Sequence, residues 1–387
     1  MKVLDLKGDA YERGLAQGKA IREKWLQLEH DFFTSELISA AKPWFLPTFV
    51  VKIALKTWGK NRTKPTVNKY LPTAAKRVEG LAEGLGMPSN YAWGLQYAEI
   101  LFCLAGDSIE IPGNIGCTQA HATPKATAEG RPLTGRNYDF PNMLLPYQIV
   151  RRETPTEKDR LATLTATQVA LCGSHQGINE AGLAIGSNNN RAWMEQDYNV
   201  KGIPTLMLLQ EALETCRTTS EAVDFMSKFP ARASAGFFGI MDDSGDCKVL
   251  EFTASRFSIR TPDDAGVLAQ SNHFINMKEA NIPDGTKWKI KGMEHIDFHE
   301  STRARFATTD RLLHENAGKI TIDTIKSILS DHSYDPTGKG TDSTVCAHGE
   351  AGSTLSSYVI DIKDRVMYVA EDNPCRSKYE KVEFRYK

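Results

Sequence analysis

The sequence predicts an α+β fold with a mainly antiparallel sheet, and three observations carry that expectation. Apolar residues recur at helical spacing through much of 10–105. Near residue 117 the period shortens into brief β-branched or alternating runs. The strand and helix signals also never settle into the regular βαβ rhythm of a parallel sheet. In chain order, Val3–Leu6 reads as a strand. Leu15, Ile21, Trp25 and Leu28, then Ala74, Val78, Leu81 and Leu85, mark helical faces. The apolar stretch Trp44–Trp58 carries Pro47, Lys52 and Lys56 and is too short to span a bilayer, so it reads as core or subunit contact. Gly106–Gly116, with its glycines and a proline, sits where the chain changes character and is the expected boundary. Beyond it, Leu161–Thr165, Gly182–Gly186, Lys248–Thr253, Ser357–Ile362 and Arg365–Ala370 read as short strands. Helices are expected at 203–216, 219–229 and 301–331, the second opened by Thr218 as N-cap with Glu221 in its first turn.

With 387 residues the chain suffices for one large domain or two ordinary ones, and 41% hydrophobic content suffices for a sizeable core. Lysine and arginine total 47 against 48 acidic residues, so no general attraction to nucleic acid or an anionic membrane is expected. Seven cysteines, an odd number without a CxxC pair, argue against a disulfide framework or a Cys-rich zinc site and for a reducing compartment. The opening MKVLDLKGDAYERG lacks the apolar run of a signal peptide. The expectation is a cytoplasmic protein without nucleic-acid or membrane partners.

The local sequence richest in chemistry is Gly116-Cys117-Thr118 followed by Gly135-Arg136-Asn137-Tyr138-Asp139. In an antiparallel hairpin 117–123 would neighbour 133–140, bringing Arg136 and Asp139 beside the Cys117 sulfur. Their three-residue spacing needs a bend or bulge for both to face it. A guanidinium favours a thiolate, and a carboxylate can hold an ammonium. On spacing alone the plainer reading is a small buried cysteine beside an ordinary ion pair.

Other motifs are spread along the chain: Gly8-x-x-Tyr11-Glu12-Arg13-Gly14-x-x-x-Gly18, Gly177-Ile178-Asn179-Glu180-x-Gly182-Leu183, Ser271-Asn272-His273-Phe274 and Ser301-Thr302-Arg303. The tail adds Asp331-His332, Cys346-x-His348, Thr354-Leu355 and Asn373-Pro374-Cys375. In this order the whole chain resembles the acyl-coenzyme A:6-aminopenicillanate acyltransferase family (peptidase family C45) of N-terminal-nucleophile hydrolases. More distantly it is similar to choloylglycine hydrolases and penicillin V acylases. The resemblance implies a four-layer αββα sandwich of two mainly antiparallel sheets. It also implies a precursor that cuts itself between Gly116 and Cys117, leaving 1–116 as a mostly helical small fragment and 117–387 as the large one. The two fragments would stay associated as one domain, with a homodimer left open.

By the same resemblance Cys117 is nucleophile and, through its freed α-amine, general base. An α-amine pKa of about 7.7–8 suits that role. Arg136 would bias the sulfur toward thiolate, and Asp139 would orient the α-ammonium. Asn272 would position the amine or polarise the scissile carbonyl, while Arg303 would support the site electrostatically. Counting from the Asn179–Leu183 turn puts the oxyanion donor at Asn189, with Asn188 or Asn190 one residue away and a plain polar turn as the bland reading. Gly116 would allow a strained backbone at the junction. The implied activity is hydrolysis of a linear N-acyl amide of a small molecule through S-acyl-Cys117, with no metal or organic cofactor. An acyltransferase working from a coenzyme A thioester or amide to an amine is the alternative, and a non-catalytic scaffold is the alternative of another class.

Three further signals read blandly. His295 and His299 lack the order and third ligand of a metal site. Asp335–Thr341 lacks the first glycine of a phosphate loop. His332, Cys346 and His348 read as structural rather than as a Cys–His catalytic pair.

Overall fold

A computed structural model describes residues 1–35, 47–97, 116–190, 195–286, 299–349 and 352–384. Most of the expected boundary, 106–115, and His295 lie outside the described residues. Among the described residues, fourteen strands form two sheets. The first has eight: β1 (Lys2–Gly8), β4 (Gln148–Pro155), β5 (Thr163–Gln168), β6 (Gln176–Asn179), β7 (Ala184–Asn190), β8 (Ala235–Met241), β9 (Cys247–Phe252) and β10 (Phe257–Arg260), in that spatial order. The second runs β11 (Val267–Gln270), β2 (Cys117–Ala122), β3 (Leu133–Pro141), β12 (Gly352–Asp361), β13 (Val366–Glu371) and β14 (Glu380–Glu383). Every pairing is antiparallel except β1 with β4, so the expected sheet type holds.

Among the described residues, seven helices pack on the first sheet's outer side or against one another there: α1 (Ala10–Thr34), α2 (Thr48–Trp58), α3 (Lys64–Tyr70), α4 (Pro72–Leu85), α5 (Ser89–Leu95), α6 (Thr205–Thr215) and α7 (Thr219–Ser227). On the outer side of the second sheet lie α8 (Glu300–Glu315) and α9 (Ile322–Leu329). Three apolar cores separate the layers. Leu28, Val78 and Met207 meet Ile149, Ile185 and Phe238 in the first, Val150 and Phe237 meet Tyr358 and Met367 between the sheets, and Leu313 and Ile325 meet Ala120 and Leu133 in the third. The layer order is therefore αββα. The single helix expected over 301–331 is two, parted near Gly318, whose φ of +81° leaves the helical region. No helix among the described residues is long and apolar enough to cross a membrane.

The opening motif has a packing explanation. Asp9 caps α1 and Glu12 closes a capping box. Gly14 and Gly18 then face Gly80 and Gly84 of α4 so closely that a Cβ at Gly14 would lie 2.1 Å from the Arg77 carbonyl oxygen. Between them Arg13 turns into a buried charge cluster. Its Nη1 donates to Glu153 at 3.0 Å and to Glu214 at 2.9 Å, and Arg77 grips Glu153 with two hydrogen bonds of 2.6 and 2.5 Å. Arg151 Nε stands 3.0 Å from the same carboxylate. Burial alone would raise the Glu153 pKa, yet Arg77, Arg151 and Arg13 hold it down to about 2.

The Glu153 pKa is thus lower in the folded chain than its ordinary 4.5, so its stabilisation is whole above pH 4.5 and is lost as pH falls through about 2. Glu153→Gln leaves three buried guanidinium groups short of a counter-charge and is expected to cost about 3–5 kcal/mol at pH 7. Urea unfolding at stepped pH checks both points: the variant should also lose this part of the wild-type acid dependence.

Candidate active site

Cys117 opens β2 and pairs with Tyr138 of β3, the hairpin that the sequence implies. Strand alternation then sorts its neighbours. Arg136 and Tyr138 share the face between the sheets, where Arg136 Nη2 lies 3.1 Å from Cys117 Sγ. Asp139 belongs to the other face, where Thr354 Oγ1 donates to its Oδ1 at 2.7 Å. Arg136 and Asp139 therefore flank the same residue from opposite sides, one at the sulfur and one at the backbone. The Asp139 N–H donates to the Gly116 carbonyl at 3.0 Å. A register shift in β12 between Thr354 and Ser356 lies opposite this point. Asp139 Oδ2 is buried and takes no hydrogen bond among the described residues.

The Cys117 N–H and the Cys117 carbonyl are gripped from two further directions. Asn272 follows β11, and its Oδ1 accepts the Cys117 N–H at 2.8 Å while its Nδ2 donates to the Asn189 carbonyl at 2.7 Å. From α8, Arg305 donates to the Cys117 carbonyl at 2.8 Å, to Thr118 Oγ1 at 3.0 Å and to Asn272 Oδ1 at 2.9 Å. Asn188 Nδ2 reaches the same Cys117 carbonyl at 3.1 Å and also the Gln270 and Ser271 carbonyls. Its side chain is committed to joining the two sheets. Asn189 is half-buried at the end of β7, and Asn190 is buried.

The structure brings Cys117, Arg136, Asp139 and Asn272 together and does not bring Arg303 with them. Arg303 is half exposed and pairs with the still more exposed Asp284. The correction is helical geometry. Ser301 and Thr302 face inward, and Ser301 Oγ accepts from Arg305 Nε at 3.2 Å, while Thr302 Oγ1 accepts the Asn272 N–H at 2.7 Å. A residue two beyond Ser301 points away, and one four beyond shares its face. That i, i+4 rule is the signal by which Arg305 could have been found. His299 is buried with Nε2 on the Ile282 carbonyl at 2.7 Å, which accounts for it structurally.

Burial pushes the Cys117 thiol pKa up and the Asp139 carboxylate adds to the rise, while Arg136, the Asp139 backbone N–H and Arg305 pull it back. Burial likewise lifts Asp139, to about 6 against the pull of Arg305, the Thr354 hydroxyl and Arg136. Around Cys117 stand two guanidinium groups, Arg136 at the sulfur and Arg305 at the carbonyl, and one reluctant carboxylate; the arginines offset part of what burial costs a thiolate, and the thiol pKa stays raised.

A model of the acyl-coenzyme A:6-aminopenicillanic acid acyl-transferase family matches residues 126–376, and the chain belongs to that family. It is accordingly an enzyme of acyl-transfer chemistry. No curated protein sequence matches it significantly. Among solved structures, it is similar to a Caenorhabditis elegans ortholog of N-acylethanolamine-hydrolyzing acid amidase, at 17% identity over 64% of this chain and 93% of that one, TM-score 0.44. Penicillin V acylase from Agrobacterium tumefaciens matches at 16% identity over 69% and 86%, TM-score 0.44. A variant of conjugated bile acid hydrolase from Clostridium perfringens matches at 12% over 70% and 97%, TM-score 0.42.

The glycine before Cys117 is explained by crowding rather than by backbone strain, since its φ is not in the left-handed region. A Cβ there would sit 2.3 Å from Arg305 Nη2 and 3.2 Å from Asn272 Oδ1. Gly116→Ala should push the guanidinium off its partners and cost about 1–3 kcal/mol. Urea unfolding in a Cys117→Ala background is the check, with Gly130→Ala, where a Cβ meets nothing within 4 Å but φ is +64°, as the strain-only comparison.

Proposed function

We propose that this protein is a self-processing cysteine amidohydrolase that cleaves linear N-acyl amides of small molecules. In the precursor, Cys117 Sγ attacks the Gly116 carbonyl carbon. The oxyanion forms where the Asp139 N–H donates, the C–N bond breaks, and the freed amine leaves a Gly116 thioester on Sγ. Water hydrolyses the thioester, giving a Gly116 carboxylate and a free Cys117. The new α-ammonium finds a ready acceptor in Asp139 Oδ2, the buried oxygen without a hydrogen bond. Arg136 and Arg305 disfavour a third positive charge there, which tunes the amine toward the neutral base.

In turnover the α-amine takes the thiol proton, Sγ attacks the amide carbonyl, and the ammonium returns a proton to the leaving amine. Water then releases the acid from S-acyl-Cys117. Asn189 is the proposed oxyanion donor, worth roughly 3–4 kcal/mol, because Asn188 is already spent on three carbonyls. The observation that carries this reading is that Asp139 and Asn272 hold the two ends of one peptide, Gly116–Cys117, with Arg305 fixing Asn272 and the Cys117 carbonyl that follows. The acyl-transferase family model favours a second reading, in which an amine rather than water accepts the acyl group. In either case 1–116 and 117–387 remain one body, since α1 and α4 are locked to β4 through Glu153.

Intact mass and N-terminal sequencing test the proposal. Purified protein should give fragments of about 13 and about 30 kDa, the larger beginning Cys-Thr-Gln, while Cys117→Ala stays at 43.0 kDa. An uncut wild-type chain that also forms no adduct with thiol-directed acyl probes would leave the scaffold reading. Added amines then separate the enzymatic readings: an N-acylated amine product marks the transferase, and free acid alone marks the hydrolase.

A further inference from the structure

We propose that His332, Cys346, His348 and Cys375 bind a zinc ion that holds together the chain segments behind Asp139. The four donor atoms lie within 4.8 Å of one another. His348 Nε2 is 3.0 Å from His332 Nε2, 3.4 Å from Cys346 Sγ and 3.4 Å from Cys375 Sγ. Tetrahedral zinc, with bonds of about 2.0–2.1 Å to nitrogen and about 2.3 Å to sulfur, sets neighbouring donors about 3.3–3.8 Å apart. The shortest separation would open slightly, and the widest, within 4.8 Å, would close by up to about 1 Å to accept the ion. A Cys–His catalytic pair uses one thiol and one base; two thiols and two imidazoles around one point make a ligand set.

The surroundings are built for it. His332 follows α9, Cys346 and His348 precede β12, and Cys375 follows β13, so an ion would cross-link three segments. His332 Nδ1 faces the Gly338 carbonyl at 3.2 Å, and an N–H donated there leaves the Nε2 lone pair toward the cluster. Gly340, at φ +90°, closes over both rings; a Cβ on it would lie 2.4 Å from His348 Cδ2 and 3.1 Å from His332 Nε2. Its loop is fixed by the Asp335 carboxylate, which accepts the N–H groups of Thr337, Lys339 and Gly340 at 2.9–3.1 Å. Those amides are therefore not a phosphate cradle. Arg376 donates to His348 Nδ1 at 2.7 Å, an arrangement of the metal-free ring. With zinc on Nε2, Nδ1 carries the proton and this exposed guanidinium turns to solvent.

The consequence reaches the active site through short links. Asn373 Nδ2 donates to the Ala347 and Thr354 carbonyls, and the Ala347 N–H donates to Thr354 Oγ1. That hydroxyl in turn donates to Asp139 Oδ1. Zinc would make this relay rigid without touching the reacting atoms.

The test is metal binding by the whole chain, reduced with a phosphine and reconstituted with zinc, then desalted and analysed for metal. Wild type and Cys117→Ala should each hold about one zinc per chain. Cobalt in its place should give the visible bands of a tetrahedral thiolate site. Cys375→Ser and His332→Gln, at partly exposed positions, should keep wild-type circular dichroism, hold less than a tenth of the zinc and lose the cobalt bands. A chain that binds neither ion overturns the proposal. So does zinc retained by both variants, or a Cys346–Cys375 disulfide that re-forms in preference to metal binding.

Discussion

The buried guanidinium of Arg305 is the interaction on which the rest of the site depends. Placing a charge in the interior costs several kcal/mol unless its hydrogens and its charge are answered. Here the answers come from Ser301 on its own helix, from the Cys117 carbonyl and Thr118 on β2, and from Asn272 after β11. Because Asn272 Oδ1 accepts from both Arg305 and the Cys117 N–H, its carboxamide can stand only one way round, with Nδ2 toward Asn189. The same crowding dictates a residue without a side chain at 116. One helix thus fixes the orientation of one peptide bond, and the chemistry proposed for that bond follows from the orientation.

A second buried charge cluster does the corresponding work for the scaffold. Arg13, Arg77 and Arg151 converge on Glu153, so the helices of the N-terminal third are bound to β4 by charge as well as by the apolar face of α1 and α4. A chain cut at residue 116 would need such a bond, since continuity would no longer hold the helices in place. The two clusters differ in outcome. At Glu153 the arginines stabilise a carboxylate and leave it inert, whereas at Cys117 two arginines against one uneasy Asp139 offset only part of what burial costs a thiolate.

Much of this was legible in the sequence because it is written in local periods. Val3–Leu6, Lys248–Thr253 and Ser357–Ile362 lie largely within β1, β9 and β12, and Thr218 caps α7 as its side chain requires. The hairpin of β2 and β3 followed from two short runs joined by a turn. What was not legible depends on contacts between distant segments. β8 is buried on both faces and shows no alternation, so it carries no strand period. The choice between Arg303 and Arg305 needed the phase of α8, which a three-residue motif does not supply. That Asn188 is taken up by carbonyls of the other sheet's segments could be read only with both sheets in place. His332, Cys346, His348 and Cys375 are brought together only by the loops that join α9, β12 and β13.

Arg305 and Arg303 separate this account from one read along the chain. The direct measurement is the time course of self-processing, by intact mass, of Arg305→Lys and Arg303→Lys, each released from the ribosome at a defined time and checked by circular dichroism. A lysine at 305 keeps a charge but cannot make the four hydrogen bonds that the planar guanidinium makes. The account predicts that Arg305→Lys is processed at least tenfold more slowly than wild type and that Arg303→Lys matches wild type. Equal processing of both variants, or the reverse order, would contradict it.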